Sequence, residues 1–471
     1  MKLVWFRRDL RVDDNRALFE AIKSGEPVIG VYVATPDTWF KHHLAPIQAD
    51  LIYRRLEVLK QELAQYNVEL IYHESDTYEN GAEFVAHIAK QCRVGAVYLN
   101  KDYEVDEQRR DEHLRMRLKL EGVAYQCFDD KCIFPPGSVL NKQGEYFKVF
   151  TPFKKAYLSK LYAMSFSVLK TETASPLSQL QRDKINSLQL NTGFSFPRVS
   201  SAAYPIDRIT IRNQLRDFDQ QGVEHYHQQR DFPALLATSR LSPYLAIGAL
   251  SVRQCMARVM YRQTPALSRG REVWQSELIW REFYQHLLHF EPKLSKGRCF
   301  FEWGESLQWV TNDALFQAWK EGITGYPIVD AAMRQLNTTG WIHNRLRMIV
   351  ASFLVKDLHI SWREGEAYFM SHLIDGDYAA NNGGWQWCAS TGCDGQPYFR
   401  IFNPTTQGEK FDPDGVFIRR WVPELRDLET RYIHQPWKCP AVNTLSYPKP
   451  IVDHKVEREI TLRLYKEAKE T

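Results

Sequence analysis

The residues between Asp375 and Trp387 combine the side-chain types that hold a flat, polar-edged ligand. This segment reads Asp-Gly-Asp-Tyr-Ala-Ala-Asn-Asn-Gly-Gly-Trp-Gln-Trp. Paired glycines permit close approach of the backbone, the acids and amide supply polar contacts, and the two tryptophans supply apolar walls. A helix C-cap followed by a turn with packed aromatic rings accounts for the same composition, so the segment alone leaves both interpretations open.

A helical stretch upstream carries Asn344, Arg345, Arg347 and Met348. Asn344 and Met348 share one face because they are four residues apart, and Arg345 lies beside them. Arg347 points elsewhere, where a carboxylate such as Asp375 is expected to hold it. A surface helix with solvated arginines is the alternative interpretation.

Another helix presents Trp274, Glu277, Trp280, Arg281 and Tyr284 on one side. This spacing predicts a pocket with one carboxylate and an aromatic wall. The same spacing is also typical of an amphipathic core helix in which Glu277 and Arg281 form an i,i+4 ion pair.

Small hydroxyl residues surround an arginine in the segment Thr238–Ser242, and Tyr226 and Arg230 precede it. Hydroxyls and backbone N–H groups at helix starts bind phosphate well. They also serve as ordinary N-caps, which is their commoner use.

The elements that position these residues fall into three parts. Residues 1–132 alternate short apolar runs with helical stretches, and this alternation predicts an α/β domain with a doubly wound parallel sheet. Neither a GxGxxG fingerprint nor a phosphate-binding P-loop motif is present. Residues 133–205 are rich in Pro, Ser, Thr and Asn and are interpreted as an interdomain linker. Residues 206–471 have helical periodicity and are predicted to form an all-helical domain.

Composition narrows the class of protein. Charged residues make up 25% and the net charge is +4, which permits a basic face for nucleic acid without requiring one. The eight cysteines have no CxxC spacing, so we expect a reduced cytoplasmic chain without disulfides or a metal site. We find no signal peptide and no apolar run long enough to span a membrane. Eleven of the thirteen tryptophans follow residue 270, which fits either core packing or a site for flat rings.

These segments together resemble the photolyase/cryptochrome family, and the similarity is strongest to the bacterial class I cyclobutane dimer photolyases. The N-terminal sequence Leu3–Asn15 and the sequences Gly325–Asp330 and Tyr398–Pro404 resemble signatures of the same family. The order and spacing of the motifs carry the resemblance from the first strand to about residue 450.

The resemblance implies an N-terminal α/β domain, a long linker and a helical domain that holds FAD. The residues implied to bind FAD are Tyr226, Thr238, Ser239, Arg240, Leu241, Ser242, Trp274, Arg281, Trp341, Asn344, Arg347, Asp375, Gly376, Asp377 and Asn381. Asn381 would lie against flavin N5, where a neutral amide adds no second negative charge to a reduced anionic flavin.

The resemblance also implies light-dependent DNA repair by a carbon–carbon lyase. Reduced FAD would donate an electron to a flipped-out cyclobutane pyrimidine dimer, which then opens into monomeric pyrimidines. The implied lesion contacts are Glu277, Trp280, Asn344, Arg345, Met348 and Trp387, with Glu277, Asn381 and Met348 closest to the chemistry. Arg230, Arg345, Arg400 and Lys410 would bind the flanking phosphates.

A separate chain of Trp385, Trp362 and Trp309 would carry electrons to oxidised FAD, although core packing explains Trp362 and Trp309 equally well. Folate-binding members of the family have a polar–Glu pair matched here by Asp106 and Glu107, and a lysine matched by Lys296. We therefore expect a methenyltetrahydrofolate antenna, with a deazaflavin as the alternative.

A cryptochrome-type photoreceptor that signals through partners is the main alternative function. Cryptochromes usually add a C-terminal tail, whereas this chain stops soon after residues 458–469, so we expect repair. A (6-4) photolyase would have histidines in place of Asn344 and Met348. A non-photochemical flavoprotein oxidoreductase would need an acid/base or NAD site, which the sequence lacks. The family further suggests a monomer.

Overall fold

Five parallel strands form the first part of the chain. The computed structural model describes residues 1–261, 267–440 and 445–470. The strands are β1 (Lys2–Phe6), β2 (Val28–Ala34), β3 (Glu69–Glu74), β4 (Ala96–Asn100) and β5 (Ala124–Phe128). Their order in the sheet is β3-β2-β1-β4-β5, and every pair is parallel. The chain crosses to the other side of β1 after β3, as in doubly wound sheets, so the predicted α/β class is confirmed.

The helices around this sheet and in the segment after it belong to one compact unit, formed by Met1–Glu224 together with Ser239–Pro292. They are α1 (Arg16–Lys23), α2 (Pro36–Lys41), α3 (Pro46–Ala64), α4 (Tyr78–Gln91), α5 (Val105–Leu120), α6 (Phe150–Tyr162), α7 (Gln179–Asn186), α8 (Arg208–Asp217), α10 (Ser242–Ala246), α11 (Val252–Met260) and α12 (Arg269–Phe290). Both α6 and α7 lie within the stretch interpreted as a linker, so this stretch has regular structure of its own.

The charged segment after β1 forms a buried polar network. Asp14 is fully buried with a φ of 57°, and its carboxylate accepts hydrogen bonds from Ser251 Oγ at 2.5 Å and Arg253 Nε at 2.8 Å. A Cβ at Gly248 would lie 2.0 Å from the carbonyl oxygen of Arg8, so only glycine fits at this close approach. Part of the N-terminal signature therefore has a structural role inside this unit.

A second unit consists of His225–Thr238 together with residues 293 to 470, and it is helical. Its helices are α9 (Tyr226–Gln229), α13 (Asp313–Glu321), α14 (Pro327–Thr339), α15 (Asn344–Lys356), α16 (Trp362–Met370), α17 (Tyr378–Cys388), α18 (Pro404–Phe411), α19 (Val416–Trp421) and α20 (His454–Glu470). Its core is built around α14 and α15, with Trp319, Phe353, Trp362 and Trp385 among the largest buried rings. No helix in the described part of the chain is long and apolar enough to cross a bilayer.

Candidate functional site

An ion pair joins α15 to the segment that leads into α17. Nη2 of Arg347 donates to both carboxylate oxygens of Asp375, at 3.0 and 2.7 Å, and the Asp375 side chain is only 2% exposed. Nε of the same guanidinium donates to the carbonyl of Ile342 at 3.0 Å. The expectation that Asp375 holds Arg347 is confirmed, and the pair fixes the chain just before the glycine-rich segment.

The segment from Asp375 to Trp387 enters and forms a helix, so the interpretation as a helix end followed by a turn is wrong. Asp377 is the N-cap of α17, and its side chain accepts from the N–H of Ala380 at 3.1 Å. A Cβ at Gly384 would meet no atom within 4 Å, so this part of α17 borders open space. Asn381 is three residues earlier and therefore on the same helix face. The two residues together provide a surface that a flat ring can approach closely.

Two adjacent amides of α17 are held by one residue of α16. Nδ2 of Asn381 donates to the main-chain carbonyl of Glu366 at 3.0 Å, whereas Nδ2 of Asn382 donates to Oε1 of Glu366 at 2.8 Å. Oδ1 of Asn382 accepts from Gln386 at 3.0 Å. Burial raises the pKa of the Glu366 carboxyl to about 7. Sequence reasoning missed Glu366, because no spacing in the sequence relates it to the amides it contacts.

The three tryptophans predicted to carry electrons belong to, or pack against, one core cluster. Trp385 is 2% exposed, Trp362 is fully buried, and Trp309 is partly exposed. Two of the three rings are therefore buried in the interior of the second unit, and Trp309 reaches its surface. The ring of Trp385 meets Phe369 edge-on, with centroids 5.0 Å apart. Trp319, which belongs to none of the sequence motifs, also packs against Trp385, with centroids 6.1 Å apart.

Cationic side chains predicted to bind phosphates lie over aromatic rings in the second unit. The guanidinium of Arg345 is 4.5 Å from the centre of the Phe411 ring, and the ammonium of Lys410 is 5.1 Å from it. Arg345 also pairs with Asp231 at 3.0 Å. Arg230 lies 5.9 Å from the ring centre of Tyr226. These partners orient the cations without burying them, as a surface for a polyanion requires.

The other predicted residues of the second unit have different exposures. Asn344, Lys296, Arg400 and Lys410 are exposed, whereas Thr238, Trp341, Met348 and Trp387 are half-buried and Gly376 is buried. The buried ammonium of Lys356 contacts the carbonyl of Arg400 at 3.4 Å. The exposed set includes side chains that a large ligand can reach.

The predicted residues on α12 lie in the first unit. Trp274 is 3% exposed and packs edge-on against Phe218, with centroids 5.0 Å apart. Trp280 stacks on Phe150 at 3.7 Å. Glu277 is half-buried. Arg281 donates to the carbonyl of Lys131 at 2.8 Å, so its guanidinium is used at least in part within this unit.

The hydroxyl-rich segment Ser239–Ser242 precedes and begins the five-residue helix α10. Gln214 holds the main chain of this segment by donating to the carbonyls of Ser239 and Arg240, at 3.0 and 3.1 Å. Arg240 has a φ of 51°, and Leu241 is buried. The backbone here is tightly placed, which suits a segment that presents hydroxyls to a phosphate.

The predicted antenna residues Asp106 and Glu107 lie in the first turn of α5. Asp106 is exposed and contacts His42 Nε2 at 3.2 Å, whereas Glu107 is buried and accepts from the hydroxyl of Tyr78 at 2.9 Å. Burial and the nearby Glu104 raise the pKa of Glu107. Sequence reasoning missed His42 and Tyr78, because both come from parts of the chain far from α5.

Two models of known protein families match separate ranges of this chain. Residues 2–176 match the family model described as DNA photolyase, and residues 274–467 match the one described as the FAD binding domain of DNA photolyase. The chain is 60% identical over 474 residues to a deoxyribodipyrimidine photo-lyase of Vibrio cholerae, covering 100% of both proteins.

Solved structures share the whole fold. An archaeal photolyase from Sulfolobus tokodaii, which contains two FAD molecules, is 32% identical with a TM-score of 0.82, over 99% of this chain and 100% of that one. A cryptochrome from Synechocystis is 28% identical with a TM-score of 0.88, over 98% of this chain and 99% of that one. The matches to both family models and the full-length identity establish that this chain belongs to the DNA photolyase family.

Proposed function

We propose that this protein splits cyclobutane pyrimidine dimers in UV-damaged DNA in a light-dependent reaction that uses FAD. The observation that carries the proposal is the 60% identity to a deoxyribodipyrimidine photo-lyase over the full chain. The likeness to a cryptochrome is a likeness of fold at 28% identity, and it gives that alternative less support. The enzyme class is a carbon–carbon lyase that acts in DNA repair.

The residues of α17 fit FAD. The open space beside Gly384 admits a ring against the helix, and the amide nitrogen of Asn381 is already bonded to α16, which leaves Oδ1 to meet the flavin. When bound and reduced, FAD supplies the light-excited electron donor. The Arg347–Asp375 pair holds the adjacent segment, and Asp377, Gly376 and Trp341 are assigned to the same cofactor.

Other residues are proposed to bind the phosphates and the remaining parts of FAD. Tyr226, Thr238 and the segment Ser239–Ser242 would hold phosphates and ribityl, since hydroxyls and a fixed backbone suit these groups. Trp274, Arg281 and Asn344 complete the proposed set. The bond from Arg281 to the Lys131 carbonyl leaves other N–H groups of its guanidinium for a ligand.

Lesion recognition is assigned to aromatic rings and to a few polar groups. A pyrimidine dimer is apolar on its faces and polar on its edges, so Trp280 and Trp387 would cover the faces. Glu277 and Asn344 would form hydrogen bonds to the polar edges of the dimer, and Met348 would make a further contact with it. Arg230, Arg345, Arg400 and Lys410 would bind the phosphates of the flipped strand.

The antenna is proposed to be methenyltetrahydrofolate bound by Asp106, Glu107 and Lys296. The exposed carboxylate of Asp106 and its neighbour His42 offer polar contacts for a pterin. The S. tokodaii relative contains a second FAD, so a deazaflavin or another flavin is the alternative. We further propose that the protein is monomeric and cytoplasmic.

Repair of a thymine-dimer oligonucleotide under blue light, followed as recovery of thymine absorbance, tests the proposal. The chemically reduced holoenzyme should restore absorbance in the light and not in a dark control. Absence of recovery with reduced FAD bound would favour a different lesion, tested next with a (6-4) substrate, or the cryptochrome alternative.

A further inference from the structure

Three side chains with metal-binding atoms meet in the interior of the first unit, and none of the three is assigned to repair. They are Cys132, Glu282 and His286, and their ligand atoms all lie within 4.8 Å of one another. Glu282 and His286 are four residues apart on α12 and therefore share one helix face. Cys132 comes from the segment after β5. The residues are 1%, 0% and 3% exposed, so the cluster is closed to bulk water.

His286 is prepared to donate a lone pair into the cluster. Its Nε2 donates to the carbonyl of Phe134 at 3.0 Å, which fixes the tautomer and leaves Nδ1 without a proton. Nδ1 is buried and makes no hydrogen bond to any residue that the structure describes. A carbonyl that accepts from the far nitrogen is the usual support of a metal-binding histidine.

The charge of Arg281, the preceding residue on α12, acts on the fully buried carboxyl of Glu282. Glu282 accepts from the N–H of Ile133 at 2.8 Å, but within the described part of the chain no lysine or arginine forms an ion pair with it. An unpaired carboxylate is costly to bury, and a bound cation removes that cost. The phenol of Tyr157 interacts with Glu282 and offers its oxygen as a fourth ligand atom.

We infer that Cys132, Glu282 and His286 form a structural site for one zinc-class divalent cation. Zinc binds sulfur, imidazole nitrogen and carboxylate oxygen together, whereas calcium and magnesium require oxygen ligands almost exclusively. Tyr157 or a water molecule would supply the fourth ligand of the cation. On binding, the thiol of Cys132 loses its proton to solvent and the thiolate bonds to the metal. This differs from the expectation of no metal site, because the ligands are distant in sequence.

The consequence of such a site is a fixed link between α12 and the segment after β5. Glu282 lies five residues after Glu277 on the same helix, so the metal would brace the helix that carries proposed lesion contacts. The inference itself stands on the cluster geometry and does not depend on the repair activity.

Zinc content of the holoenzyme, measured by mass spectrometry after dialysis against zinc and then against buffer, tests the inference. We expect about one zinc per chain, with one sulfur at about 2.3 Å in the zinc X-ray absorption spectrum. Cys132→Ser should hold at least about tenfold less zinc. Cys255→Ser is the matched control, since Cys255 is a fully buried cysteine of the same unit outside the cluster.

Three results would overturn the inference. One is a folded wild-type protein that holds no zinc above background, because the thiol then serves only as a local hydrogen-bond donor. Another is equal zinc in Cys132→Ser and in wild type. If Cys132→Ser does not fold, the X-ray absorption spectrum of the wild type decides the question. A spectrum in which no sulfur is bonded to the zinc would overturn the inference.

Discussion

The side-chain amide of Asn381 donates to the main-chain carbonyl of Glu366 at 3.0 Å, and this bond sets which end of the amide a ligand meets. The nitrogen is bonded to α16, so the oxygen is the atom available to an N–H of the cofactor. A carboxylate at the same position cannot donate to that carbonyl. It would also place a negative charge beside a reduced anionic ring.

Asn381→Asp should therefore destabilise fully reduced FAD relative to the oxidised form. We expect the midpoint potential to fall and the reduced enzyme to reoxidise in air several-fold faster, from about 1 kcal/mol of lost hydrogen bonding and added repulsion. Spectroelectrochemistry measures the midpoint potential, and flavin absorbance followed after exposure to air measures the rate of reoxidation. Asn337→Asp is the matched control, because Nδ2 of exposed Asn337 also donates to a helix carbonyl, that of Lys320, at 2.7 Å. Equal potentials in the two variants would contradict the role of Asn381.

The buried carboxyl of Glu366 makes stability depend on pH. Its pKa is raised from 4.5 to about 7 by burial, so between these values the native state keeps a proton that the unfolded state releases. The free energy of unfolding must then fall as pH rises through this window. Glu366→Gln keeps an acceptor for Asn382 and removes the titration.

We expect Glu366→Gln to match wild type near pH 4 and to exceed it near pH 8 by up to roughly 3 kcal/mol. Denaturant midpoints measured across this range give the difference. Glu364→Gln, an exposed change on the same helix, should leave the pH profile as it is. A constant offset between Glu366→Gln and wild type at all pH values would mean that Glu366 does not titrate in this window.

Removing the carboxylate of Glu277 should lower the repair yield while FAD stays bound. Glu277 is half-buried on α12 and is proposed to hydrogen-bond the dimer while it carries the extra electron. Loss of about 1 kcal/mol of hydrogen bonding corresponds to roughly a fivefold effect. The measurement is repair per absorbed photon by Glu277→Gln with chemically reduced flavin.

The control for this experiment lies on the same helix. Glu272 is paired with Arg269 at 3.1 Å and its side chain is 46% exposed, so Glu272→Gln should repair as wild type does. An unchanged yield in Glu277→Gln at saturating DNA would remove Glu277 from the reaction and leave it a binding or packing role.

Local patterns in the sequence were sufficient to predict the sheet and the contact between Arg347 and Asp375. The five strands were predictable because parallel strands covered on both faces appear as short continuous apolar runs, such as β2. The contact between Arg347 and Asp375 was predictable from the helix face on which Arg347 lies. The helical stretch predicted to carry Asn344, Arg345, Arg347 and Met348 is also observed, and Asn344 is its first residue.

Contacts between distant segments were not predictable in the same way. Glu366 holds two amides of α17 from another helix, and the Cys132 cluster joins a loop to α12 across about 150 residues of chain. Periodicity describes which face of an element is buried and not which residue of another element meets it. The segment before Trp385 was ambiguous for a related reason, since an N-cap and a turn use the same residue types.

Trp385 is predicted to be the first step in reduction of oxidised FAD by light, and its packing makes the test specific. It is 2% exposed, and a Cβ at Gly365 would lie 2.1 Å from its ring, so the indole fills this space completely.

Trp385→Phe removes the easily oxidised ring and leaves a small cavity that costs roughly 1–2 kcal/mol. Photoreduction of oxidised FAD should then fall at least about tenfold, since each 1.4 kcal/mol of added barrier slows a step tenfold. Repair by chemically reduced enzyme should persist, because that reaction does not use the predicted electron path through Trp385, Trp362 and Trp309. Trp303→Phe, a partly buried tryptophan outside the predicted path, should photoreduce normally. Normal photoreduction in Trp385→Phe would assign the path to other rings, with Trp319 the first candidate because it packs against the same site.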